Sequence, residues 1–373
     1  MIYLDYNATT PLDPRVREAM IPYLRDHHGN PSSGHALGKV TRAAVEQARG
    51  QVAAFIGASP DEIVFTSGGS ESNNHVIKGV AFSHREKGEH IIISAVEHPA
   101  VKRPCEFLER QGFRVTCVPV DRTCRVNPDD VREAITTRTI LISVMHANNE
   151  VGTIQPIAEL AAIAKDRGIL FHTDAAQSAA KIPVNVNTLG VDFLSLAGHK
   201  IYAPPGVGAL FIRTGLQIEP LIHGAGHEQG RRAGTEGVPN IVALGVACRI
   251  AGDEMRIEEI RKLREMLFDA LVDGLGDRVV RNGCAEDGLP NTLNVGFRGL
   301  IGFDLLSQLG DVAASPGAAC HATTHKPSAV LQAMGVPSDV ALGAIRFSLG
   351  RWTSEQEIRR AADGVIRAVR QMA

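Results

Sequence analysis

The chain has 373 residues and is 44% hydrophobic, which is enough apolar material for a large core and for two domains. Its 39 Lys and Arg nearly balance 41 Asp and Glu, so neither the basic excess of a nucleic-acid binder nor the charge block of a disordered tail is present. No apolar run approaches the ~20 residues of a membrane span, and the opening "MIYLDYNATTPLDP" lacks the charged and apolar regions of a signal peptide.

In chain order, a helical pattern from Val40 to Ile56 comes first and stops at Gly57. Seven short apolar runs follow: "EIVFTS" (62–67), "HIIISAV" (90–96), "RVTCVPV" (114–120), "TILISVM" (139–145), "ILFHTDA" (169–175), "VDFLSLA" (191–197) and "VGALFIR" (207–213). Most are continuous rather than alternating, as expected of strands covered on both faces. Helical patterns separate several of them. In "QPIAELAAIAKDRG" the apolar residues Ile157, Leu160, Ala161 and Ala164 share one face, and Gly168 supplies the stop. This alternation predicts an α/β domain around a mainly parallel sheet. After about residue 250 the texture changes. "DEMRIEEIRKLREMLFDALVDGLG" is a long charged amphipathic helix, "NTLNVGF" (291–297) and "AIRFSLG" (344–350) look like strands, and a helix begins near Ser354. That mixture predicts a smaller α+β domain.

Several residues stand where such a sheet places chemistry. His199 and Lys200 directly follow a predicted strand in "SLAGHKIYAPPG". A lysine there is either solvated or desolvated, with a lowered pKa suited to Schiff-base chemistry. In "VFTSGGSESNN" a strand runs into Gly69 and Ser70; the segment fits phosphate binding at a helix start, and also plain helix capping by Ser70. Asp174 and Gln177 in "FHTDAAQS", His98 in "SAVEHPA" and Asn149 in "MHANNEVG" all lie at or just past strand ends, where open α/β sheets bind ligands. "HGAGHEQGRRAGTEG" is a glycine-rich loop whose Arg231, Arg232 and Thr235 suit phosphate contact. Glycines interrupt its His223 and His227, which makes a zinc site improbable. Arg346 falls within a strand-like run, where it needs an internal acid or a substrate carboxylate. "SPGAACHATTHKPS" (315–328) reads as neither helix nor strand and carries Cys320 beside His321 and His325. No metal site is expected there, for want of a second soft ligand. The six cysteines (Cys105, Cys117, Cys124, Cys248, Cys284 and Cys320) form no C-x-x-C pair, which suits free thiols and a cytoplasmic enzyme.

In order along nearly the whole chain, "YLDYNATTP", "GNPSS", "TSGGSESNN", "EHPAV", "HANNEVG", "HTDAAQS", "GHKIYAPPGVGAL", "GAGHEQGRRAGT", "LPNTLNV", "GAACH" and "IRFSLGR" resemble the pyridoxal-phosphate-dependent cysteine desulfurases of aminotransferase class V. The resemblance implies an α/β fold of the aminotransferase-like fold type I. Its large domain (13–250) would carry a mainly parallel seven-stranded sheet. Its smaller domain (1–12 and 251–373) would carry the catalytic cysteine. The activity implied is conversion of L-cysteine to L-alanine with a persulfide left on Cys320 for a sulfur-acceptor protein. The alternative is a selenocysteine lyase acting on L-selenocysteine, because "GAACH" is closer in wording to those enzymes. By the same resemblance, pyridoxal 5'-phosphate would be held through Lys200 as Schiff-base lysine, Asp174 on the ring nitrogen and His98 stacked on the ring. Gln177 and Asn149 would lie near the ring hydroxyl and the substrate, and Gly69, Ser70 and His199 would hold the phosphate. Thr235 would reach the phosphate in the other subunit of a homodimer, Arg346 would clamp the substrate carboxylate, and Cys320 would be the thiol nucleophile. Ala197 stands where these enzymes commonly have a phosphate-binding serine.

Overall fold

The structure, a computed structural model, describes residues 1–316, 318–321 and 324–372, without the side chains of 318–321, 324 and 325. The chain opens with a short strand, β1 (Ile2–Tyr3). The main sheet holds β2 (Ile63–Thr66), β3 (His90–Ser94), β4 (Arg114–Val118), β5 (Thr139–Ser143), β6 (Leu170–Asp174), β7 (Phe193–Ala197) and β8 (Gly208–Ile212) in the order β2-β8-β7-β6-β5-β3-β4. These are the seven apolar runs, one strand each. Pairings from β7 across to β4 are parallel, and β8 is antiparallel to both its neighbours.

The continuous apolar runs are explained by cover on both faces. Helices Gly69–Ser83 and Pro99–Glu109 pack one face, against Val64, Ile91, Ile93 and Leu141. Helices Ala36–Ile56, Ile157–Asp166 and Val238–Asp253 pack the other, against Phe65, Ile92, Ile142 and Phe171. The Ala36–Ile56 helix ends on Gly57 in the left-handed conformation, as its sequence predicts.

A second core lies beyond residue 256. There, β9 (Val279–Asn282), β10 (Thr292–Phe297), β11 (Val312–Ala313), β12 (Ser315–Pro316), β13 (Ala318–His321), β14 (Thr324–Pro327) and β15 (Ala344–Ser348) join helices Ile257–Leu275 and Glu355–Met372. Strands β12, β15, β10 and β9 form one antiparallel sheet, and β1 pairs in parallel with β11. Ile2 and Leu4 therefore bury with Val295, Phe347 and Leu271 although they begin the chain. Strands β13 and β14 pair as a hairpin with Cys320 opposite His325. This corrects the expectation that 315–328 lacks strands. The segment has no apolar alternation to betray a pleat, so its pairing is invisible to periodicity.

Candidate active site

Parallel strands all point the same way, so the loops after their C-terminal ends gather at one sheet edge. Residues following β2, β3, β5, β6 and β7 line a cavity of about 540 Å³ there. Among its walls are Gly69, Ser70, His98, Asn149, Asp174, Gln177, His199, Lys200 and Arg346. Of the residues to which the resemblance gives a role, Thr235 is not among them. Thr235 lines an adjoining cavity of about 220 Å³, whose walls Ser67, Gly206 and Val207 it shares with the first. The side chain of Cys320 lies outside the described residues.

Lys200 ends a 3₁₀ turn directly after β7. Its Nζ donates to the carbonyl oxygens of Asn7 and, at 2.7 Å, of Ala8. Burial, aided by the nearby Arg346, lowers its pKa from 10.5 to about 8. The N-terminal strap reaches the turn because Thr10 binds the His199 carbonyl through both its N–H (2.8 Å) and its hydroxyl (3.0 Å). Asn7 is a buried hub. Its Nδ2 donates to Thr292 Oγ1 at 2.8 Å, and its Oδ1 accepts from Asn291 Nδ2 at 3.0 Å. The strap thus links the edge of the main sheet to the second core.

Asp174 closes β6. Its carboxylate accepts from Asn73 Nδ2 at 2.7 Å and from the N–H of Ala176 at 2.9 Å. His98 caps the Pro99–Glu109 helix, Nδ1 accepting from the N–H of Ala100 at 3.1 Å. Its pKa is lowered, chiefly by burial, so its imidazole is neutral near pH 7. Burial and the cations Lys200 and Lys181 push His199 down to about 4.

The Gly69–Ser83 helix begins at the cavity, with Gly68 as its N-cap and no side-chain cap bond. Ser70 therefore lies in the first turn and is not the cap, and the first-turn N–H groups, which have no intrahelical acceptor, open onto the cavity wall. Glu71 ties this turn down by accepting from the N–H of Ser67 and from Arg232 Nε, both at 2.8 Å. Arg231 donates to the Ile63 and Glu228 carbonyls, each at 3.2 Å. Both arginines thus brace the glycine-rich loop, Arg232 on the Glu71 carboxylate and Arg231 on backbone carbonyls, instead of facing the main cavity. Ala197 presents a methyl to the cavity.

Arg346 on β15 enters from the second core. It donates to Asp5 Oδ1 at 2.8 Å, to Ser315 Oγ at 3.0 Å and to the Asn149 carbonyl at 3.0 Å. Among the described residues its Nε is buried without a partner. A guanidinium held by one carboxylate with a donor to spare suits a second, incoming carboxylate. The edge as a whole offers an amine, an acid, an aromatic wall, a helix start and an arginine. That donor set fits a phosphorylated aromatic aldehyde such as pyridoxal 5'-phosphate. Sequence reasoning missed Asn7, Asn73 and Lys181. His223 and His227 bond separately, to Glu219 and to the N–H of Gly234, and no group of three metal-ligating side chains occurs among the described residues.

Residues 2–361 match the family model described as aminotransferase class-V. The chain is 50% identical to the cysteine desulfurase IscS of Dictyoglomus turgidum, over all of this chain and 95% of that protein. It is 45% identical to the cysteine desulfurase of Homo sapiens, over all of this chain and 82% of that one. Among solved structures, a NifS-like protein superposes with a TM-score of 0.91 at 39% identity, covering 98% of both chains. SspA in complex with cysteine superposes with a TM-score of 0.85 at 38% identity, over 95% of this chain and all of that one.

Proposed function

The chain belongs to the class-V aminotransferases and is a cysteine desulfurase, and from that premise we propose how its residues divide the work. The carrying observation is the convergence of Lys200, Asp174, His98, Gln177, Asn149 and Arg346 on one cavity. In this reading pyridoxal 5'-phosphate would be held covalently by Lys200 and would supply an electron sink for the substrate's Cα. Gly69, Ser70 and His199 would hold its phosphate, Asp174 would pair with its ring nitrogen, His98 would stack on the ring, and Gln177 would meet the ring hydroxyl.

The substrate carboxylate takes the spare donors of Arg346, beside Asn149. That fixes which bonds of L-cysteine face Lys200 and which face the cysteine segment. As a free amine Lys200 has a lowered pKa that leaves about a tenth of it uncharged at pH 7, and it would take the Cα proton. Neutral His98 is placed to pass a proton onward. Cys320, as thiolate, attacks the substrate Sγ. An S–S bond forms and the substrate Cβ–Sγ bond breaks. The electron pair stays with the carbon fragment, which gains protons to become L-alanine. The sulfur remains as a Cys320 persulfide for an acceptor protein.

The proposal includes a homodimer. Its support is Thr235, which lies outside the main cavity of its own chain and on a loop suited to a neighbouring phosphate. It also divides the chain at 13–250 and at 1–12 with 251–373, supported by the two cores. No helix among the described residues is long and apolar enough to cross a membrane. The unpaired thiols of Cys105, Cys117, Cys124, Cys248 and Cys284 favour a cytoplasmic setting. Lys200→Ala tests the core of this reading. The variant should take up pyridoxal 5'-phosphate without the wild type's visible absorbance and form no alanine. An unchanged spectrum would refute the role of Lys200.

A further inference from the structure

The segment after Asp174 contains a second amine, behind the cavity wall, with no role so far. The turn Asp174–Ile182 doubles back sharply, with the N–H groups of Lys181 and Ile182 both bonded to the Ser178 carbonyl at 3.0 Å. Ala180 within it adopts φ of 63°, a left-handed conformation that costs a residue with a Cβ roughly 1 kcal/mol. The strained turn returns Lys181 beneath Gln177, and Lys181 Nζ donates to Gln177 Oε1 at 2.7 Å. On its other side Gln177 Nε2 donates to the Asn7 carbonyl at 3.0 Å, the same oxygen that accepts from Lys200. Burial lowers the pKa of Lys181, but its Nζ donates here and the Asn7 carbonyl only accepts, so these two neighbours favour one orientation of the Gln177 amide. A flipped amide would set its oxygen against the Asn7 carbonyl oxygen and lose that bond. Nε2 has two hydrogens, and the Asn7 carbonyl takes one of them. The other is left for the cavity that Gln177 lines.

We propose that Lys181 is a positioning residue that locks the Gln177 amide so that it offers an N–H donor, and never an acceptor, to the cofactor site. This rests on the reading of the cavity as the pyridoxal-phosphate site. A fixed donor beside a ring hydroxyl favours its ionised form, and so lowers the pH at which the bound cofactor's visible absorbance changes. Lys200 and Arg346 are the cations whose charge acts on Lys181, and the Met and Gln variants remove the Lys181 charge alike, so the difference between them isolates the N–H donor.

The test is a pH titration of the visible absorbance of resting holoenzyme, with no substrate present. Lys181→Met removes the lock and should raise the midpoint by about one pH unit. Lys181→Gln keeps an N–H donor without the charge and should recover at least half of that shift. An unmoved midpoint in cofactor-loaded Lys181→Met overturns the proposal, because a merely structural role would lower stability and leave the titration alone. A Lys181→Gln midpoint as high as that of Lys181→Met also overturns it, since charge alone would then be responsible. If wild-type protein gains no visible absorbance from pyridoxal 5'-phosphate, the reading of the cavity fails instead.

Discussion

Lys200 and Arg346 show how one residue's chemistry depends on the next. Lys200 is held near pKa 8 by burial first and by the charge of Arg346 second. In the proposed mechanism its deprotonated form is the reactive one, so the limb of the turnover profile that reports this group should rise with pH through about 8. Arg346→Leu removes a repelling cation, which should move that limb to higher pH. The same variant loses charge-assisted bonds to the substrate carboxylate, about 1.5–3 kcal/mol, or a roughly 10–100-fold higher KM. Steady-state kinetics across pH checks both effects, and a raised KM without a displaced limb would separate Arg346 from Lys200. At this scale the sequence revealed the strand-end side chains that gather at the cavity. Asn7 stayed hidden because it meets Lys200 through a backbone carbonyl, which no residue type advertises. Asn73 went unread because its partner Asp174 is far along the chain.

The elements explain why these groups meet. Gly208 begins β8 opposite Thr66 and Ala197. A Cβ at this position would lie 2.5 Å from the Leu196 carbonyl oxygen and 2.7 Å from Gly68 Cα, and both are backbone atoms that cannot swing aside. Gly208→Ala should therefore cost on the order of 1–3 kcal/mol. It should also displace the loop before the Gly69–Ser83 helix, weakening retention of pyridoxal 5'-phosphate. A lowered melting temperature together with faster cofactor loss on dialysis is the expected result. The seven strands of the main sheet were legible because burial on both faces leaves continuous apolar runs. β1, β11 and β12 are two residues long and leave no pattern to read. The hairpin of β13 and β14 carries small and polar residues with no apolar alternation, so its register exists only in the pairing.

Across the molecule, the cavity lies where the two cores meet, and the N-terminal strap and β15 cross that boundary to complete it. Buried titratable groups add a pH dependence to the whole fold. His75 and His146 are pushed down to about 4 and His172 to about 3, all led by burial. Below about 6.5 the unfolded chain binds their protons and the folded chain does not, so stability falls as pH drops from 6.5 toward 4. Glu97 has the opposite sign. Burial raises it to about 8, and its Oε2 has no partner, while Oε1 accepts from Ser94 Oγ at 2.6 Å and the Met145 N–H at 2.8 Å. Its stability contribution is full below about 4.5 and is lost as pH rises to about 8. Three histidines outweigh one acid between about 4.5 and 6.5, so urea midpoints should rise with pH in that window. Glu97→Gln should remove the decline above about 6.5, and a variant that still declines there would assign it to another group. The central claim is that sulfur leaves L-cysteine for Cys320 within a site built around Lys200. Its most direct measurement is alanine release by Cys320→Ser holoenzyme given L-cysteine. Wild-type visible absorbance with no alanine and no protein-bound persulfide is the predicted result, and alanine formed at the wild-type rate would contradict it.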